Sequence, residues 1–148
     1  MINPPLRILL TDDDLGDRII FSEIFEEMEL ETTVQLLNNG VELMDYLNKK
    51  DVLLPDLLFL DLNMPNKNGM TCLKEIRSNE KFKDISIAIY STSASERDID
   101  ESFQHGANIY ITKPSDFSKL KQILTKAISV THLYHDSSFN RENFVLKI

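Results

Sequence analysis

Five short aliphatic and β-branched runs, residues 6–11, 32–37, 56–61, 85–90 and 108–112, alternate along the chain with stretches of helical spacing. Several of these runs are hydrophobic at nearly every position, the pattern of strands buried on both faces. The stretches between them each carry one apolar face: Ile20, Phe21, Ile24, Phe25 and Met28; Val41, Met44 and Leu47; Met70, Leu73 and Ile76; Leu120, Ile123, Leu124, Ala127 and Ile128. Residues 95–105 have only Ile99 and Phe103 as clear anchors. They are read as a helix from the alternation around them, and as the most mobile of the five. Strand then helix, five times over, demands right-handed crossovers and a parallel sheet covered on both sides. The expected fold is α/β, a doubly wound five-stranded parallel sheet.

A chain of 148 residues, 42% hydrophobic and 27% charged, has the composition of one autonomously folding globular domain. A single cysteine, Cys72, and the absence of zinc-like Cys/His spacing fit a reducing, cytoplasmic setting. The first residues lack a signal-peptide core, and no later segment approaches a membrane span, so neither export nor insertion is expected. The formal charge of −8 argues against direct nucleic-acid binding. Residues 131–148 follow the last helical stretch and are too few for a second domain.

In a sheet of this kind ligands bind beyond the carboxyl ends of the strands, so the strand-end residues carry the functional information. The first strand ends in Thr11-Asp12-Asp13-Asp14, where a phosphate-cradling protein would place glycines. One of these acids can cap the following helix, but a cap does not need three. The third strand ends in Asp61. Carboxylates that converge repel one another and raise each other's pKa unless a cation sits among them, and a site with few protein oxygens suits magnesium better than calcium. Ser91 and Thr92 end the fourth strand, and Lys113-Pro114 follow the fifth. Acids, a hydroxyl and an amine on one rim describe a phosphoryl-transfer site.

This ordered set resembles the receiver domain of two-component response regulators, over about residues 6–130. Asp12 and Asp13 match the family's acidic pair, Asp61 with Leu62-Asn63-Met64-Pro65 and Gly69 its phosphoacceptor and loop; Ser91, 30 residues after Asp61, and Lys113, a further 22, match its hydroxyl and lysine. The resemblance implies a flavodoxin-like (βα)5 fold with strand order 2-1-3-4-5, residues 1–130 forming the receiver and 131–148 a C-terminal extension. It implies that Asp61 accepts a phosphoryl group from a sensor histidine kinase, a phosphotransfer protein or a small phosphodonor. Mg2+ would be bound by Asp13, Asp61 and the backbone carbonyl of Asn63, with Asp12 acting mainly through water. Lys113 would donate to the phosphoryl group. Ser91 would move to bond it, letting Tyr110 rotate inward as the second part of a switch. The resemblance also raises the expectation of a cis Lys113–Pro114 bond.

The departures from the family pattern are Asp14 and Leu15 after the acidic pair, Thr92 where Ala or Gly is usual, and Ser91 in place of Thr. Thr92, Asn63 and Ser93 are the expected modulators of phosphoryl lifetime. Such a chain is a switch rather than an enzyme, with only self-phosphorylation and autodephosphorylation of its own. Competing readings are an aspartate-nucleophile phosphohydrolase of the haloacid-dehalogenase type, using Asp12-x-Asp14, and a degenerate receiver serving only for interaction or dimerisation. A flavodoxin-like flavin domain is excluded by the acids of its first loop.

Output is expected through protein contacts on the face of the fourth helix, fifth strand and fifth helix, with Phe103, His105 and Tyr110 as surface candidates. The extension carries His132, Tyr134, His135, Phe139 and Phe144-Val145-Leu146, and is expected to pack on its own domain or on a homodimer partner. Single-domain receivers with such extensions resemble those paired with phytochrome-like or other sensor kinases, though the tail does not identify one. The cognate kinase and the downstream protein are not written in the sequence.

Overall fold

The computed structural model describes residues 5–130 and 140–147. Its elements alternate: β1 (Leu6–Thr11), α1 (Leu15–Glu27), β2 (Thr32–Leu37), α2 (Gly40–Leu47), β3 (Leu57–Leu60), α3 (Gly69–Arg77), β4 (Ser86–Ser91), α4 (Glu96–Gln104), β5 (Ile109–Thr112) and α5 (Phe117–Ser129). All strands are parallel, in the order β2-β1-β3-β4-β5. The five helices start alike, with the side chains of Asp14, Asn39, Asn68, Ser95 and Asp116 each accepting from the backbone N–H three residues on. Such caps satisfy donors that the first helical turn leaves unpaired.

Strand periodicity divides the core in two. Leu9, Leu58, Leu60, Ile87, Ile89 and Tyr110 face the side covered by α2, α3 and α4. Leu10, Phe59, Tyr90 and Ile111 face the side covered by α1 and α5, where Phe21, Phe25, Phe59 and Tyr90 form an aromatic cluster. The expected face of α1 is the buried one apart from a single residue, while that of α2 is turned. Ile20 and Val41 lie outside, and Leu43 is buried in α2 together with the expected Leu47, because burial follows the side turned to the sheet rather than every apolar residue of the helix.

The outer edge of β5 is covered by residues 140–147. Tyr110 pairs with Val145 in a parallel bridge, the Tyr110 N–H donates to the Phe144 carbonyl, and the Leu146 N–H donates to the Tyr110 carbonyl, both at 2.9 Å. Phe144 and Leu146 are buried, one in each half of the core. This part of the extension therefore packs on its own domain; His132, Tyr134, His135 and Phe139 lie outside the described residues. The packing also corrects the expected output surface. Tyr110 is fully buried and Phe103 half-buried, because the Phe144 ring stands 5.2 Å from Phe103 and 6.2 Å from Tyr110. His105 caps the C-terminus of α4.

Candidate phosphoacceptor site

The register of the sheet gathers the strand ends. Thr11 stands beside Leu60 and Leu37, and Ser91 beside Thr112. The next residues continue the ladder: the Asp12 N–H donates to the Leu37 carbonyl, the Asp61 N–H to the Thr11 carbonyl, and the Lys113 N–H to the Ser91 carbonyl. Backbone pairing thus fixes Asp12, Asp61, Ser91 and Lys113 on one rim. Carboxylate oxygens of Asp12, Asp13 and Asp61 lie within 4.8 Å of one another. Asp12 is fully buried, Asp61 nearly so, and Asp13 exposed.

The Lys113 ammonium sits among these acids, 2.6 Å from Asp12 Oδ2, 2.9 Å from Asp17 Oδ2 and 3.9 Å from Asp61 Oδ2. It also lies 4.8 Å from the centre of the Tyr90 ring. Burial opposes its charge, yet Asp12, Asp61 and Asp17 prevail and hold its pKa above the ordinary lysine value. Burial pushes the Asp61 carboxyl up to about 6; Lys113 and the Asn63 N–H oppose the rise, and Asp12 and Asp13 add to it. Asp12 is raised for the same first reason, despite its contact with Lys113. One ammonium does not neutralise three carboxylates, and an all-oxygen donor set with one exposed member fits a hard divalent cation.

The Asn63 N–H donates to Asp61 Oδ1 at 3.1 Å, orienting the carboxylate, while Asn63 itself is exposed. Gly69 closes the loop after β3: its N–H donates to the Leu62 carbonyl, and a Cβ there would fall 2.0 Å from the Asp61 carbonyl oxygen. Ser91 is buried, with Oγ accepting from the Ser93 N–H at 3.1 Å. Thr92 is exposed, and Ser93 Oγ donates to Asp98 Oδ2. The Tyr110 hydroxyl donates to the Ser93 carbonyl at 2.8 Å.

Two expectations are corrected here. Tyr110 is inward in the unmodified chain, since Phe144 covers it and Ser93 satisfies its hydroxyl. No cis peptide occurs among the described residues, so Lys113–Pro114 is trans, the ordinary isomer for an X-Pro bond. Asp14 caps α1, the simpler of its two readings. Sequence reasoning missed Asp17, which resembles an ordinary first-turn helix acid, and Arg18, whose guanidinium donates to the Asp12 carbonyl at 2.7 Å.

The family model described as the response regulator receiver domain matches residues 8–125, and the chain belongs to that family. Response regulator Rcp1 of Synechocystis is 31% identical over 122 residues, spanning 80% of this chain and 83% of Rcp1. Chemotaxis protein CheY-3 of Vibrio cholerae is 31% identical over 126 residues, 85% of this chain and 94% of that protein. Among solved structures, the phosphorylated cyanobacterial phytochrome response regulator RcpA superposes with a TM-score of 0.81 at 32% identity, covering 86% of this chain and 94% of RcpA. A Mn(2+)-bound form of Rcp1 superposes at 0.78 with 26% identity, covering 92% and 99%. The chain is thus a receiver domain of two-component signalling, with the doubly wound 2-1-3-4-5 sheet. No helix among the described residues is long and apolar enough to cross a membrane.

Proposed function

We propose that Asp61 is the phosphoacceptor of a signalling switch, charged by a histidine kinase or phosphotransfer protein, and that its modification alters a protein-interaction surface. The observation that carries this reading is the convergence of Asp12, Asp13 and Asp61 with Lys113 on one sheet edge. A carboxylate oxygen of Asp61 forms the new P–O bond as the donor's P–N bond breaks and its electron pair returns to the imidazole. Lys113, already 3.9 Å from Asp61, moves toward the incoming phosphoryl oxygens, and Ser91 donates its hydroxyl to one of them. Asp13, Asp61 and the Asn63 carbonyl, with Asp12 mainly through water, would hold Mg2+, which would supply positive charge to offset these oxygens. Thr92, Asn63 and Ser93 border the path of water and set how long the acyl phosphate lasts. The chain has no substrate turnover beyond gaining and losing this group.

Acetyl phosphate with Mg2+ should add one phosphoryl mass to the wild type and none to Asp61→Asn. A mass gain that persists in Asp61→Asn and maps to Asp12 would favour the phosphohydrolase chemistry instead. No gain in either protein would favour a degenerate receiver.

A further inference from the structure

We propose that the outer edge of β5 is a groove for an extended, aromatic-bearing segment, occupied by the chain's own residues 140–147, and that this occupant holds Tyr110 in its inward position. The inference rests on Asp61 being the phosphoacceptor and Tyr110 part of its switch.

A bare sheet edge needs cover, and a strand that merely protected β5 would meet that need wherever it paired. Here the pairing centres on one residue. Tyr110 gives both its N–H and its carbonyl to the segment, and its ring packs on Phe144, which also meets Phe103 of α4. The ends of the segment are fastened to the two flanking helices. Arg141 pairs with Asp100 and Glu96 of α4 at 2.8 and 3.3 Å, and the Lys147 carbonyl accepts from the ammonium of Lys126 on α5. The groove therefore selects a basic residue, then an aromatic three positions on, then an aliphatic two further, laid parallel to β5.

Turning Tyr110 outward would break its bond to the Ser93 carbonyl and drive its ring into the space Phe144 fills. The same Ser93 donates its N–H to Ser91 Oγ, the hydroxyl that senses the phosphoryl group. Modification of Asp61 would draw Ser91 toward the phosphoryl group and favour the inward Tyr110, the position that seating of residues 140–147 also favours. By linkage each must strengthen the other.

The test uses the full chain and beryllium trifluoride, a phosphoryl mimic, with Mg2+ and fluorine NMR. Phe144→Ala should raise the half-saturating concentration about tenfold, and Arg141→Glu, which leaves the core intact, about twofold. In the wild type, loading should slow hydrogen exchange of the Tyr110 and Leu146 amides together. Equal half-saturation in wild type and Arg141→Glu, with both amides unchanged on loading, overturns the coupling while leaving Asp61 as acceptor. A wild type that binds no beryllium trifluoride overturns the acceptor reading and this inference with it. A two-chain mass that becomes one-chain in Phe144→Ala would give the groove to a second copy and overturn its occupation within the chain.

Discussion

A carboxyl taken from water and set beside two other carboxylates resists ionisation, and Asp61 is so placed. Its pKa in the folded chain is about 6 against an ordinary 3.8, so between those values the native state holds the proton that the unfolded chain has released. Stability therefore falls as pH rises through that window, and at pH 7 the ionised Asp61 costs roughly 1–3 kcal/mol. In chelator, Asp61→Asn should be more stable than wild type by about that amount at pH 7 in urea unfolding, and the advantage should vanish toward pH 3.8. No gain at pH 7 would show that Lys113 fully compensates Asp61. At this scale the site was legible where the fold makes it so. Ser91 ends a strand and Asp12, Asp61 and Lys113 each directly follow one, and strand ends can be read from hydrophobic runs. The Asp17–Lys113 contact, across 96 residues, has no local signature.

Between elements, two joints hold the site's frame. Gly69 starts α3 where a side chain would collide with the backbone of Asp61 and Leu62. Gly69→Ala must shift α3 off the end of β3, so it should lower stability by about 2 kcal/mol or more and slow Asp61 acylation by acetyl phosphate. Wild-type kinetics in that variant would mean the loop adjusts without moving Asp61. At the opposite edge, Arg77 of α3 donates to the carbonyls of Gly106, Phe82 and Ile85 and to Asn108 Oδ1, tying α3 to the entries of β4 and β5. Arg77→Ala leaves several of these carbonyls short of a donor and should cost about 2–4 kcal/mol by urea denaturation, with Mg2+ affinity unchanged. The strands were placed by sequence to within a residue because each is a short aliphatic or β-branched run bounded by polar residues. Helix faces were less legible: Val41 and Leu43 are both apolar, and only the sheet's position decides which of them is buried.

For the whole molecule, the extension shows the limit of reading sequence locally. Phe144-Val145-Leu146 announces burial, but an apolar triplet suits many surfaces; its place against Tyr110 depends on β5 being an edge, a property of the complete sheet. The divalent site is likewise a property of the fold, since Asp12 and Asp61 meet only when β1 and β3 pair. The unfolded chain keeps its acids apart and cannot offer the same cluster, so Mg2+ should bind the native state preferentially and stabilise it by mass action. At about ten times its Kd the gain is about 1.4 kcal/mol, and it grows with the logarithm of concentration beyond that. Thermal unfolding followed by circular dichroism across a Mg2+ series should show this dependence in wild type, and most of it should be lost in Asp13→Asn. Asp13 is the informative position because it is exposed and its removal leaves the Asp12–Lys113 pair in place. If Asp13→Asn responds to Mg2+ as wild type does, the stabilising ion is held by the general excess of negative charge, −8 overall, and not by the three carboxylates at the sheet edge.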